Sequence, residues 1–124
     1  MLTRGILVTV ESRYIPERSS ATAHQYAFAY TVKIANRGPV TAQLRSRHWI
    51  ITDADGVVQE VEGEGVVGEQ PVLRPGEEFE YTSWCIIATP GGSMRGTYQM
   101  VTNGGEEFDA QIAPFRLALP QLLN

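Results

Sequence analysis

The strongest pattern in this amino-acid sequence is an alternation with a period of two residues. In the segment 24–34, the even positions from Tyr26 to Ile34 are large and apolar, and the residues between them are small or polar. Successive side chains of a β-strand point to opposite faces, so the alternation predicts a strand that covers a core with one face. The same alternation recurs in the segments 6–11, 79–87 and 98–102.

Short turn signals separate the alternating segments. Asp-Gly and Asn-Gly pairs supply the positive φ angles of tight hairpins, and 12 Gly with 7 Pro leave no stretch with a helical period. We therefore predict an all-β fold, an immunoglobulin-like or fibronectin type III-like antiparallel sandwich of about seven to eight strands. The turn signals are 36–39, 55–56, 75–76, 89–92 and 103–105, and the expected strands are 5–13, 24–36, 43–53, 57–62, 71–73, 78–88, 95–103 and 106–117.

Length and composition restrict the class of protein. A chain of 124 residues with 43% hydrophobic residues suits one domain, which we expect to cover 1–124. No apolar run approaches the length of about 18 residues that a membrane span needs. No signal-peptide pattern precedes the first strand. Cys85 is the single cysteine, which suits a reducing compartment, so we expect a cytoplasmic protein without membrane insertion.

The net charge of -4 conceals a segregation of charge along the chain. Residues 1–52 contain seven basic and two acidic residues, whereas residues 53–80 contain nine acidic residues and one basic residue, Arg74. Two interpretations are open. Either the two segments neutralise each other across a sheet, or the second segment forms an acidic face for a basic partner or a cation.

A glycine motif of the form G-x-G-x-x-G comprises Gly63, Gly65 and Gly68. In dinucleotide-binding folds this motif ends a strand and opens a helix whose N-terminus faces the pyrophosphate. Here Pro71 and the turn at 75–76 follow within a few residues, and glutamates surround the motif. The alternative is a glycine-rich loop that needs unusual φ angles, and we expect no cofactor at these three weak candidate positions.

Three carboxylates alternate along the segment before the glycine motif. Glu60, Glu62 and Glu64 would share one face of an extended strand and are weak candidates for Mg²⁺, which needs only one or two carboxylates. A solvated strand face is the alternative reading, and we expect no metal here. His24 and His48 lie too far apart in the sequence for a typical transition-metal site.

The sequence contains no recognisable catalytic arrangement. Cys85 is flanked by Trp84 and Ile86, which predicts a buried and unreactive thiol. The one aromatic–basic cluster comprises Arg45, Arg47, His48 and Trp49. On a strand Arg45, Arg47 and Trp49 would share a face and could contact a base or a peptide. The isoelectric point of about 5.1 argues against nucleic acid as the main ligand. Alternatively, the two arginines pair with the acidic strand.

The motifs together resemble the bacterial ApaG family over nearly the whole chain. The resemblance rests on the order and spacing of several segments. These are Arg47 to Asp53, Asp55-Gly56, Gly63 to Pro71, Leu73 to Glu77, Tyr81 to Ser83, Thr89 to Met100 and Phe108 to Pro120.

The resemblance implies a fibronectin type III-like sandwich and an association with cobalt and magnesium tolerance or efflux. Related domains in an F-box protein and a DNA-polymerase-interacting protein look like protein-binding modules, and the family offers no catalytic residues to carry over. We therefore expect a non-enzymatic interaction domain, a monomer or weak homodimer, that binds an unknown protein partner. The partner-binding candidates are Arg45, Arg47, Trp49, Glu60, Glu62 and Glu64. The alternative is a binder of a divalent cation or a pyrophosphate-containing nucleotide at 60–70.

Overall fold

Nine β-strands form almost all of the regular structure in the computed structural model, which describes residues 1–122. Within these residues there is no α-helix, and two short 3₁₀ turns, Pro16–Arg18 and Pro120–Leu122, complete the elements. The strands are β1 (Leu2–Thr3), β2 (Ile6–Tyr14), β3 (Tyr26–Asn36), β4 (Ala42–Asp53), β5 (Val58–Glu64), β6 (Val72–Leu73), β7 (Glu78–Ile87), β8 (Gly91–Thr102) and β9 (Glu107–Ala118).

The strands form two antiparallel sheets. One sheet has the order β1-β2-β3-β7, and the other has the order β5-β4-β8-β9, with β6 also paired to β4. The prediction of an all-β antiparallel sandwich is confirmed. Seven of the nine strands are long, and the two remaining strands have only two residues each.

The core lies between the inner faces of the two sheets. Strand β3 contributes Phe28, Val32 and Ile34, which are fully buried, as the alternation predicts. From the other sheet, the Trp49 ring packs edge-on against Tyr98, with the ring centroids 6.2 Å apart. Edge-to-face aromatic pairs of this kind add to the stability that burial of their area provides.

A hydrogen bond between two tyrosine hydroxyls connects the sheets inside the core. Tyr81 of β7 and Tyr98 of β8 share this bond, and burial raises the pKa of both phenols. Because each hydroxyl satisfies the other, neither buried polar group is left unpaired. The two phenols therefore stay neutral at physiological pH and join the layers.

The observed strands follow the expected ones with four differences. Strand β3 begins at Tyr26, two residues after its expected start. The short strand β1 was not predicted, β5 continues to Glu64, and β8 begins at Gly91, where the sequence predicts a turn. Gly92 explains the last difference, because a Cβ at this position would lie 2.5 Å from the carbonyl oxygen of Thr52. The glycine thus allows close strand pairing and does not make a turn.

The sandwich is closed on one side and open on the other. On the closed side, the Thr3 hydroxyl accepts a hydrogen bond from the Gln111 amide at 3.1 Å, and Ser12 donates to the Arg116 carbonyl at 2.8 Å. On the open side lie the edge strands β5 and β7, each paired with one neighbour. Within residues 1–122, one hydrogen bond joins these two edges. The Gln59 side chain donates it to the Ile86 carbonyl, and it is long, 3.5 Å.

Candidate functional site

The edge strand β5 carries a row of exposed carboxylates on the outer face of its sheet. The register pairs Glu60 with Ile50, Glu62 with His48 and Glu64 with Ser46. All three glutamates are exposed, and the alternation of β5 places them on one face, as the sequence predicts. Such a row of one sign concentrates negative potential along the edge.

His48 is the basic group nearest to this row. Its Nε2 atom lies 3.8 Å from a carboxylate oxygen of Glu60 and 3.5 Å from one of Glu62. The same nitrogen is buried and makes no hydrogen bond within the described part of the chain. No spacing in the sequence connects His48 to these glutamates; the hairpin turn at 53–57 sets the register that brings them together.

The carboxylates do not converge on a metal-binding arrangement. Among residues 1–122, no group of three or more His, Cys, Asp or Glu side chains is placed to hold a metal ion. A strand spaces residues i and i+2 by about 6–7 Å along its axis. Glu60 and Glu62 approach each other only through the His48 imidazole between them, and Glu64, opposite Ser46, lies farther along the strand.

The Arg47 guanidinium crosses beneath the first glycine of the motif. Its Nη1 donates to the carbonyls of Glu64 at 3.1 Å and Gly65 at 2.9 Å. A Cβ on Gly63 would lie 2.8 Å from that nitrogen. The absence of a side chain at Gly63 thus leaves the space through which Arg47 reaches the end of β5.

The other two glycines shape a tight turn after β5. Val66 and Glu69 exchange two backbone hydrogen bonds of 2.8 and 2.9 Å, and the central residues Val67 and Gly68 both have positive φ, 45° and 81°. This is the geometry of a type I′ hairpin turn. Gly65 also has positive φ, 65°, and a Cβ there would lie 2.4 Å from the Glu69 carbonyl oxygen.

The glycine motif therefore has a complete structural explanation. The chain turns back at 66–69 without forming a helix, and the Val66 side chain is buried in the core. A phosphate site of the dinucleotide type requires a helix N-terminus after the motif. In place of the helix dipole, this loop presents carbonyls already bonded to Arg47 and is preceded by the glutamates of β5.

Arg45, Arg47 and Trp49 do not share a face, contrary to the prediction. A β-bulge between Leu44 and Ser46 adds a residue to β4. Arg45 occupies the bulge, is exposed, and donates from Nε to the Gln43 side chain at 2.9 Å. Because a bulge shifts the alternation, Arg47 and Trp49 point inward while Arg45 does not.

Trp49 has to be removed from the surface candidates. Only 2% of this residue is exposed, and its ring contacts Tyr30 and Phe115 as well as Tyr98. A partner cannot reach the ring while the sandwich is folded. The Trp49 side chain therefore stabilises the core and is not part of the surface.

The basic N-terminal segment does not neutralise the acidic strand through Arg45 and Arg47. In the part of the chain that the structure describes, the ion pairs are Arg4–Glu106, Lys33–Glu78 and the two contacts of His48. Arg47 bonds to backbone carbonyls instead of carboxylates. The acidic row of β5 thus keeps its charge toward solvent, apart from the contacts with His48.

Cys85 lies on the inner face of β7 and is partly buried against the core. Its Sγ is 3.9 Å from the Met94 sulfur, and burial raises the pKa of the thiol to about 11. The thiolate is the reactive form, so little of the nucleophile is present at neutral pH.

We expect a thiol reagent at pH 7 to label Cys85 slowly in the native protein and rapidly after denaturation in urea. The labelling rate of the native protein should keep rising with pH well beyond 9, since the folded-state pKa is raised. Stopped aliquots analysed by intact mass would measure both rates. Equal native and denatured rates would show that the thiol is neither buried nor shifted.

Comparison with known sequences identifies one family. The sequence profile of the ApaG domain matches residues 16–102. The "Protein ApaG" of Anaeromyxobacter sp. (strain K) is 60% identical over 123 residues, which cover 99% of this chain and 97% of the relative. The "Protein ApaG" of Thiobacillus denitrificans is 58% identical over 119 residues, which cover 96% of this chain and 94% of the relative. The names of these relatives describe no reaction.

Comparison with solved structures supports the same family and the same fold. The crystal structure of an ApaA protein from Bordetella pertussis superposes with a TM-score of 0.91 at 56% identity and covers 94% of each chain. A β-glucuronidase of Bacteroides uniformis matches 93% of this chain over 13% of its own length, with a TM-score of 0.52 at 15% identity. The second likeness concerns the fold alone. Among the described residues, no helix has the length and apolar character that crossing a membrane requires.

Proposed function

Because the chain belongs to the ApaG domain family, we propose that it is a non-enzymatic interaction domain that binds a protein partner through its acidic edge. The single observation that carries the proposal is the row Glu60, Glu62 and Glu64 on the outer face of β5, which is exposed and, within residues 1–122, pairs with no arginine. A one-sign row of this kind steers a basic surface into contact.

The interaction surface in this proposal extends over the outer side of 49–70. Arg45, exposed at the bulge of β4, borders the surface and contributes a contact at its rim. Arg47 takes part as a positioning residue, since its bonds to the Glu64 and Gly65 carbonyls fix the end of β5. Trp49 stabilises the sheet beneath the surface without touching the partner.

We propose that the partner belongs to cobalt and magnesium tolerance or efflux, the process that the family resemblance suggests. We also propose that residues 1–124 act as one domain in the cytoplasm, where the free thiol of Cys85 would stay reduced. In this proposal the domain is a monomer or weak homodimer and does not bind nucleic acid.

The triple substitution Glu60→Gln, Glu62→Gln and Glu64→Gln should slow association with the partner and flatten its dependence on salt. Long-range attraction between charged surfaces accelerates encounter and is screened by salt, so removal of the three charges should act on the association rate. The partner is first identified by affinity capture from the native cell. Surface plasmon resonance at several salt concentrations then measures the rates.

A matched control removes the same amount of charge elsewhere. The variant Glu11→Gln, Glu17→Gln and Glu107→Gln alters three exposed glutamates outside β5 and should keep most of the association rate. Thermal melts verify that both variants remain folded. Equal slowing by the two triple variants would mean that net charge alone matters and that β5 is not the site.

The second candidate function is binding of a divalent cation or a nucleotide at 60–70. The observation in its favour is the unpaired Nε2 of His48 beside Glu60 and Glu62. We expect calorimetric titration with Mg²⁺ or Co²⁺ to give no saturable heat, because the three glutamates lack a common centre. We also expect ATP, GTP or NADH to leave the amide resonances of Gly63, Gly65 and Gly68 unshifted. Saturable binding in either titration would favour this second function.

A further inference from the structure

The free edge of β7 combines unpaired backbone groups with an exposed tryptophan. Trp84 is 53% exposed and Ile86 is 38% exposed, and both lie on the outer face of this strand. The Arg18 guanidinium of the 3₁₀ turn stacks 5.7 Å from the centre of the Trp84 ring. Large exposed apolar side chains grouped in this way mark interaction sites.

The pairing pattern identifies which backbone groups of β7 face outward. The Ala27 carbonyl accepts a hydrogen bond from the backbone N–H of Ile15, which follows directly after β2, so this carbonyl points toward the β2 side of β3. In an antiparallel sheet the direction of these groups alternates, so Ala27, Ala29, Thr31 and Lys33 face β2 and not β7. Their register partners therefore direct N–H and C=O groups away from the sheet. These partners are Ile86, Trp84, Thr82 and Glu80. Among residues 1–122, only the Ile86 carbonyl of this set has a hydrogen-bond partner, the Gln59 side chain at 3.5 Å, which an added strand would displace.

The charges along this edge describe what would fit there. Lys33 is the register partner of Glu80 across the strands, but its ammonium lies 3.8 Å from Glu78, at the same end of β7. Within residues 1–122 no cation is at ion-pair distance from the Glu80 carboxylate. The opposite end carries Trp84 and Ile86. A segment that pairs with this edge thus needs an apolar half beside Trp84 and a basic residue beside Glu80.

A second copy of the chain fits this edge poorly. An antiparallel β7–β7 pair would bring together two open sides, each with the glutamates of β5, and like charges at short range repel. Charged residues on an edge strand are a known device against such self-pairing. An occupant with basic residues and no acidic ones fits this edge better than a second copy does.

We propose that β7 binds an extended segment of a partner protein by β-strand addition, with antiparallel pairing to Glu80, Thr82, Trp84 and Ile86. In this mode main-chain hydrogen bonds provide affinity and alternate side chains provide specificity. The segment carries two apolar residues at alternate positions, then a small polar residue and a basic residue. This edge lies outside the surface 49–70 of the proposed function. The two proposals are therefore independent, and a result that excludes binding at one surface leaves the other proposal standing.

The test uses a capped seven-residue peptide, Val-Ser-Val-Ser-Thr-Ser-Arg, titrated into the isotopically labelled full chain. Its odd positions should lie opposite Ile86, Trp84, Thr82 and Glu80 in that order. We expect saturable shifts centred on the amides of Thr82 and Trp84. The variant Trp84→Ser should weaken binding about fivefold or more, as loss of a central aromatic anchor does.

Two controls separate strand addition from simple charge attraction. Methylation of the peptide nitrogen at Thr should abolish binding, because that N–H points toward β7, whereas methylation at the preceding Ser should not. Glu80→Arg should weaken binding about two- to fivefold, and a peptide that ends in Glu instead of Arg should recover it.

Three results would overturn the proposal. These are equal binding of the two methylated peptides, shifts centred on β5 with none on β7, and the absence of saturable shifts at millimolar peptide. Shifts centred on β5 would instead place the basic peptide on the acidic row.

Discussion

Replacing Trp49 by alanine should lower the free energy of unfolding by about 3–5 kcal/mol, the usual cost of removing a large aromatic side chain from a core. The indole is 2% exposed and contacts Tyr30, Tyr98 and Phe115 at centroid distances of 5.3, 6.2 and 5.9 Å. The surrounding strands belong to both sheets and cannot close on the cavity without losing register. Urea denaturation followed by circular dichroism measures the loss.

The second tryptophan provides the control. Trp84→Ala removes an equally large side chain from the surface, where the indole makes a cation–π contact with Arg18, and should cost less than about 1 kcal/mol. Comparable losses in the two variants would contradict the assignment of Trp49 to the core. Binding measurements on Trp49→Ala cannot report on a surface contact, since the change acts through folding.

Replacing Gly65 by alanine should be the most damaging single methyl addition within the glycine motif. The positive φ of 65° costs an ordinary residue about 1–2 kcal/mol. The overlap of the new Cβ with the Glu69 carbonyl, 2.4 Å away, should add about 1–3 kcal/mol. The neighbouring oxygen is a backbone atom of the turn and cannot move aside as a flexible side chain could.

Gly68→Ala is the matched change for this prediction. Gly68 has a similar positive φ of 81°, but no atom lies within 4 Å of the position of its Cβ, so only the backbone cost of about 1–2 kcal/mol applies. Chemical denaturation of both variants gives the comparison. If Gly68→Ala proved as destabilising as Gly65→Ala, the steric explanation of the motif would be wrong.

The strands could be predicted because their signals are local. The alternation from Tyr26 to Ile34 depends only on which residues face the core, and the structure buries that face. The short strand β1 lacks such a signal, because two residues are too few to show a period. Its pairing with β2 follows from the hairpin at Arg4 and Gly5, which both have positive φ.

The candidate site was less predictable because its geometry depends on register. The bulge at Arg45 arises from the pairing of β4 with β8 and puts Arg45 on a different face from Arg47, although the sequence predicts one shared face. The position of Arg47 beneath Gly63 joins residues from two strands, and no spacing rule within one strand could reveal it. The exposure of Trp84 could not be predicted either, because the alternation in the sequence is the same whether the outer face of a strand is buried or exposed to solvent.

The closed side of the sandwich has a consequence for how the protein is made. Strand β9 provides the Arg116 carbonyl that Ser12 bonds and the Gln111 amide that Thr3 bonds, so the first strands meet partners that are translated near the end. A ribosome adds about 5–20 residues per second, and β2 therefore waits roughly 5–20 s for β9. During that interval the nascent chain has unpaired strand edges. Because contacts between residues far apart in the sequence form slowly, we expect the packing of β9 against the first strands to be the last step of folding.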